Sequence, residues 1–168
     1  MNAILMAAAA VVLMTSCSDP NALPRATVGG ETLEGVRSGN VAVFKGIPYA
    51  LPPVGPLRWK PPVPRPEGTG VKSAAAFGPS CIQPPADMVN FVTAAAKVIG
   101  TADRVTDQPL KTDEDCLYLN VWTGSMGSAS KPVMVWIHGG GHYLGSGSET
   151  MYDGAALARR GVVVVTIN

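Results

Sequence analysis

One hundred and sixty-eight residues are enough for one modest domain with its own core. With 46% hydrophobic and 15% charged residues the chain is built to pack; a net charge of +1 leaves no basic footprint for nucleic acid, and no long single-sign run suggests a polybasic membrane segment. Nineteen glycines and 15 prolines, about a fifth of the chain, stop short of the roughly 25–30% typical of low-complexity sequence and point to a folded, loop-rich domain.

Residues 4–14 are an unbroken apolar run, too short for a membrane span of about 20 residues. Thr15-Ser16-Cys17 and the polar Ser18-Asp19-Pro20-Asn21 follow it. The pattern reads as the hydrophobic region and small-residue cleavage site of a secretory signal over residues 1–17. A Cys at the cleavage point is similar to a bacterial lipoprotein signal, with Cys17 as the lipidated first residue of the mature chain. A buried N-terminal helix is the competing reading, and the abrupt polar stop at 17–21 speaks against it. Residues 18–25 then serve as a tether. Export is the expectation, to the periplasm or outer membrane as a lipoprotein or into the medium, with membrane contact through Cys17 alone. Cysteine counting agrees. An odd count in an exported chain asks for an explanation; lipidation of Cys17 supplies one and leaves Cys81 and Cys116. These are either a disulfide in an oxidising compartment or two reduced, buried thiols.

From Ala26 short β-like segments alternate with glycine turns: Thr27-Val28 before Gly29-Gly30, Thr32-Leu33-Glu34 before Gly35, and Val41-Ala42-Val43-Phe44 after Ser38-Gly39-Asn40. Two or three short antiparallel strands fit this spacing. Residues 46–66 hold eight prolines, which exclude helix and interior strand alike. An extended surface strap pinned by Tyr49, Leu57 and Trp59 is expected, with a proline-rich partner motif as the alternative. Residues 87–99 place Met88, Phe91, Val92, Ala95 and Val98 on one helical face, with Asp87 as N-cap and Gly100 as stop. Residues 117–122 alternate as a strand, Leu117, Leu119 and Val121 opposite Tyr118, Asn120 and Trp122.

Val133–Ile137 is apolar and rich in β-branched and aromatic residues, suited to a strand buried on both faces. The chain then breaks at His138-Gly139-Gly140-Gly141. Three glycines favour neither helix nor strand, but they offer backbone that a substrate can approach closely. Downstream, residues 153–161 read as a two-turn helix capped by Asp153, with Arg159-Arg160 at its negative end and Gly161 as stop. Residues 162–167 form a second buried strand, expected to be an open sheet edge. Strand, loop, helix, strand is the βαβ pattern of an α/β sheet.

Four blocks resemble the N-terminal third of type-B carboxylesterases, the cholinesterase-like branch of the α/β-hydrolases. They are Phe44-Lys-Gly-Ile-Pro-Tyr-Ala with Pro52-Pro-Val-Gly and Arg58-Trp59; Glu114-Asp-Cys-Leu-Tyr-Leu-Asn-Val-Trp122; Val133-Met-Val-Trp-Ile-His-Gly-Gly-Gly141; and Val163-Val-Val-Thr-Ile-Asn168. The second block is specific by itself, although Gly124 stands where the family usually has Pro. The resemblance implies an α/β fold: the N-terminal part of an α/β-hydrolase, small antiparallel strands followed by the first strands of the central sheet, with residues 26–168 an incomplete type-B domain. It pairs Cys81 with Cys116 and puts the segment between them at the rim of the active-site gorge.

The implied chemistry is serine-esterase hydrolysis of a small-molecule ester, with backbone N–H groups holding the developing oxyanion. The glycine-rich turn after the third sheet strand contributes to that hole, which carries over to Gly140 and Gly141, with His138 and Gly139 as loop support. His142 falls on the pocket wall. No Gly-x-Ser-x-Gly occurs in the 168 residues and the two histidines flank the turn, so no nucleophile, base or acid is assigned here. Neither metal-ligand clustering nor a phosphate loop implies a cofactor. A cholinesterase-like binding or adhesion module without catalysis is the alternative. By itself, the 168-residue polypeptide is expected to be poorly stable and inactive.

Overall fold

The computed structural model describes residues 22–84, 94–100, 111–127 and 130–168. Strands β1 (Arg25–Val28), β2 (Glu31–Glu34), β3 (Val36–Ser38), β4 (Val41–Pro48), β5 (Val71–Ser73), β6 (Tyr118–Thr123), β7 (Val133–Ile137) and β8 (Val163–Ile167) build two sheets. One runs β1-β2-β5; the other runs β3-β4-β6-β8-β7. The expected antiparallel pairs β1·β2 and β3·β4 are present. Strand β5, parallel to β2, has only three residues and therefore no readable alternation.

The core is organised on β4. Val41, Ala42, Val43 and Phe44 are all buried because successive side chains enter opposite faces. Val41 and Val43 pack with Trp122, Val164, Ala155 and Ala158, whereas Ala42 and Phe44 pack with Leu33 and Ala74. Pairing of Val43 with Trp122 and Phe44 with Val121 extends the same two faces into β6. Burying a side chain such as Trp122 or Val164 contributes about 1.5–3 kcal/mol or more, so this double-faced strand is the main stabilising element.

Four expectations for the strap and the inter-cysteine segment change. Strand β4 continues through Gly46 and Ile47 to Pro48, with an irregularity between Phe44 and Ile47; a bulge and a terminal position accommodate the proline. A 3-10 turn at Gly55–Leu57 interrupts the extended strap. Tyr49 is an anchor, its hydroxyl donating to the Asn168 carbonyl at 2.6 Å. Trp59 is not: it is 89% exposed, and its ring lies beside the Arg58 guanidinium instead of in the core. Residues 94–98 are helical, while 87–93 of the expected helix lie outside the described residues. In that helical turn Ala96 is buried while Ala95 and Val98 are exposed, so the covered face is not the predicted stripe.

The βαβ unit is formed. Strand β7 leads through a 3-10 turn (Thr150–Tyr152) and helix α1 (Ala155–Ala158) to β8, and the two strands pair in parallel from Val133↔Val163 to Ile137↔Ile167. The helix is shorter than the predicted two turns. Asp153 does act at its start, accepting from the Ala155 N–H at 2.8 Å. The expected edge is on the other strand. The crossover carries β8 inward, between β6 and β7, where it pairs antiparallel with β6. Strand β7 is left at the sheet edge, every residue exposed, from 36% at Met134 to 78% at Ile137. The apolar sequence of Val133–Ile137 is therefore not covered on both faces by the described residues.

Candidate active-site turn

Beyond Ile137 the backbone enters conformations that L side chains rarely adopt. Gly140 has φ +120° and Gly141 φ +64°. The loop folds back, so that the Tyr143 and Leu144 N–H groups reach the Gly140 carbonyl at 3.3 and 3.2 Å. A Cβ on Gly140 would lie 1.9 Å from the Leu144 carbonyl oxygen. Gly140 is thus required by dihedral and by space, whereas Gly141 is favoured by dihedral alone. Around Gly139 there is open room, so packing does not demand glycine there. Among the described residues no hydrogen bond takes up the N–H of Gly140 or Gly141. Both residues line an open depression of about 680 Å³, with His142, Tyr143, Ile82 and Asn168 on its walls.

His138 braces the turn. Its Nδ1 lies 2.7 Å from the Gly139 carbonyl, and since a carbonyl only accepts, Nδ1 carries the proton. The Tyr152 hydroxyl lies near the Gly139 backbone. Burial pushes that phenol above its ordinary value, with the Glu149 charge adding to the effect and the Gly139 contact opposing it.

Two amide side chains that the sequence reading passed over hold the far side of the loop. Gln83 grips Gly145 at both ends of the residue: Nε2 donates to the Gly145 carbonyl at 3.0 Å, and Oε1 accepts from its N–H at 2.7 Å. Asn168 uses all of its side-chain capacity. Its Oδ1 accepts from Ser146 Oγ (3.1 Å) and the Gly147 N–H (2.9 Å), while Nδ2 donates to the carbonyls of Pro79 and Cys116, both at 3.0 Å. Beneath them Thr166 Oγ1 donates to the Gly147 carbonyl at 2.6 Å, and Asn120 Nδ2 donates to Thr166 Oγ1 at 3.0 Å. Such buried networks fix one geometry because an unmet partner is costly. Asn120 gave a faint signal, a polar residue on the strand face that also carries Trp122. Gln83 gave none and Asn168 only its place in the last family-like block, because most of their partners are backbone atoms distant in sequence.

Cys81 and Cys116 form a disulfide, with Cα atoms 4.9 Å apart. It stands beside the depression, which Cys81 lines. Ser146 is fully buried, bonded to Ser148 Oγ and Asn168, so it belongs to the brace and not to a reacting surface. His138, Gly139, Gly140 and Gly141 directly follow the end of β7; Cys17 lies outside the described residues. Among the described residues no group of His, Cys, Asp and Glu could hold a metal ion, and no helix is long and apolar enough to cross a membrane.

A family model described as the carboxylesterase family matches residues 21–168. The chain belongs to that family. Among its carboxylesterase relatives, a fumonisin B1 esterase of Sphingopyxis macrogoltabida is 41% identical over 98% of this chain and 27% of its own length. A para-nitrobenzyl esterase of Bacillus subtilis is 44% identical over 81% of this chain and 25% of its own. Rabbit (Oryctolagus cuniculus) liver carboxylesterase 1 is 40% identical over 96% and 29%. The solved structure of a thermophilic PNB esterase superposes with a TM-score of 0.71 at 40% identity, covering 86% of this chain and 27% of that one. The architecture is accordingly the N-terminal part of an α/β-hydrolase fold, and the chain spans about a quarter of the length of the curated relatives it matches.

Proposed function

We propose that the protein carrying this chain hydrolyses carboxylic esters by a serine-esterase mechanism, and that the turn at residues 138–141 forms its oxyanion hole. The observation that carries this reading is the pair Gly140 and Gly141: two successive backbone donors, free of internal partners among the described residues, at a strand end bordering the depression. When a nucleophile adds to an ester carbonyl, negative charge moves onto the carbonyl oxygen. Fixed N–H dipoles stabilise that charge more than the ground state, each at about 2.7–4 kcal/mol by the effect of removing one. The serine, its base and the orienting carboxylate come from outside these 168 residues. The full-length protein should hydrolyse p-nitrophenyl acetate and lose that activity on stoichiometric labelling by an organophosphonate. Absence of both would refute the reading and leave the non-catalytic binding module.

Export with lipidation at Cys17 belongs to the same proposal. The Cys81–Cys116 bridge supports the export part, because disulfides persist in oxidising compartments. Expression with labelled palmitate should mark the protein, and Cys17→Ala should abolish the label; label retained in the variant would exclude lipidation at this residue.

A further inference from the structure

We infer that Gln83 is a positioning residue for the turn, coupling the disulfide-bearing segment to the geometry of the Gly140 and Gly141 donors; this rests on the oxyanion-hole reading above. The Gln83 amide meets both polar atoms of one residue, Gly145, as a neighbouring strand would. Gly145 in turn abuts the turn itself. A Cβ built on it would fall 2.4 Å from His138 Nδ1 and 2.5 Å from the Gly139 carbonyl oxygen, so its backbone lies directly against the peptide that leads into Gly140. Leu144, its immediate neighbour, donates to the Gly140 carbonyl. A displacement of Gly145 is therefore passed to Gly140 through two independent contacts.

The other end of the linkage is equally short. Gln83 is two residues from Cys81, which is bonded to Cys116, and Gln83 Nε2 also donates to the Cys81 carbonyl at 3.1 Å. The Cys116 carbonyl accepts from Asn168, which holds Ser146 and Gly147. Thus the disulfide joins two arms that grip residues 145–147 from different sides. The Gln83 arm adjoins the turn and the Asn168 arm anchors the brace beneath it. Donors 1 Å out of place cost about a hundredfold in rate, so a side chain that never touches substrate can still govern turnover.

The test uses the full-length protein with Gln83→Leu, which keeps the bulk and removes both hydrogen bonds to Gly145 along with the one to Cys81, and Gln83→Asn, which keeps the amide but falls short of Gly145. Both variants should lower kcat for p-nitrophenyl acetate about tenfold to a hundredfold, with KM little changed. Affinity for a trifluoromethyl ketone, whose adduct presents an oxyanion, should fall in step with kcat. A purely structural role would lower the active fraction without changing kcat per titrated site or that affinity. Hydrogen exchange supplies a readout independent of catalysis: residues 138–147 should exchange faster in both variants, with β6 and β8 unchanged. Unaltered exchange there, or unaltered kcat per site in an active protein, overturns the inference. A full-length protein without esterase activity but with faster exchange in the variants would instead overturn the functional reading and leave the clamp standing.

Discussion

The turn at residues 138–141 and the segment at 145–149 are near neighbours in sequence, yet they treat their polar groups in opposite ways. In the later segment Ser146 and Gly147 are buried and held in place, their N–H groups by Glu149 and Asn168 and the Gly147 carbonyl by Thr166. In the turn, the N–H groups of Gly140 and Gly141 have no partner among the described residues, and both glycines border the depression. Folding rarely leaves donors unused where they are buried. The contrast separates a brace, whose polar atoms are consumed in holding shape, from a surface whose donors remain available to a substrate.

The sharpest way to break this contrast is Gly140→Ala. The added methyl would overlap the Leu144 carbonyl oxygen and face a φ of +120°, so the turn must rearrange. Turnover of the full-length protein should fall about a hundredfold or more, as read by initial rates normalised to titrated sites. Replacing both Cys81 and Cys116 by Ala acts on the brace. A bridge separating residues by 35 positions contributes about 3–4 kcal/mol in the chain-entropy model, and denaturant unfolding should show a loss of that order.

A smaller effect is expected from Ser146→Ala. Its hydroxyl bonds Ser148 and Asn168 inside the brace, so stability should drop by about 1–2 kcal/mol while hydrolysis persists well above the Gly140→Ala level. Loss of covalent inhibitor labelling in Ser146→Ala would make that serine a nucleophile and reverse the assignment of the two regions. The smallest effect concerns Tyr118. Burial raises its phenol above the ordinary value of 10.0, and the hydrogen bond it donates to Asp115 raises it further. A raised value means that the folded state favours the protonated phenol. Its contribution is fully present below pH 10 and fades as pH climbs through the raised value. Tyr118→Phe should accordingly flatten the stability curve above pH 10.

The legible parts of the molecule are those where local pattern and tertiary demand coincide. Glycine clusters around Thr27 and Thr32 announced the hairpin β1·β2, and the apolar runs at 133–137 and 162–167 with a capped helix between them announced a βαβ unit. The order of those two strands in the sheet was not legible. Both are apolar and β-branched, and nothing local says that the crossover carries β8 inward and leaves β7 at the edge. At the site, three consecutive glycines after a strand were a local signal with a chemical reason. The clamps were silent: Gln83 reaches Gly145 across 62 positions and Asn168 reaches Pro79 across 89, and an amide that bonds backbone atoms leaves no mark in its partner's identity. Trp59 misled for the converse reason, since an aromatic among prolines looks like an anchor whether or not the fold turns it inward.

The central claim is that Gly140 and Gly141 present their N–H groups to an oxyanion. A structure of the full-length protein carrying a covalent phosphonate or trifluoromethyl ketone adduct tests it most directly. The charged oxygen of the adduct is predicted to lie about 2.7–3.1 Å from the nitrogens of both Gly140 and Gly141. An adduct whose oxygen is held by other donors, with these two glycines facing away, would contradict the account.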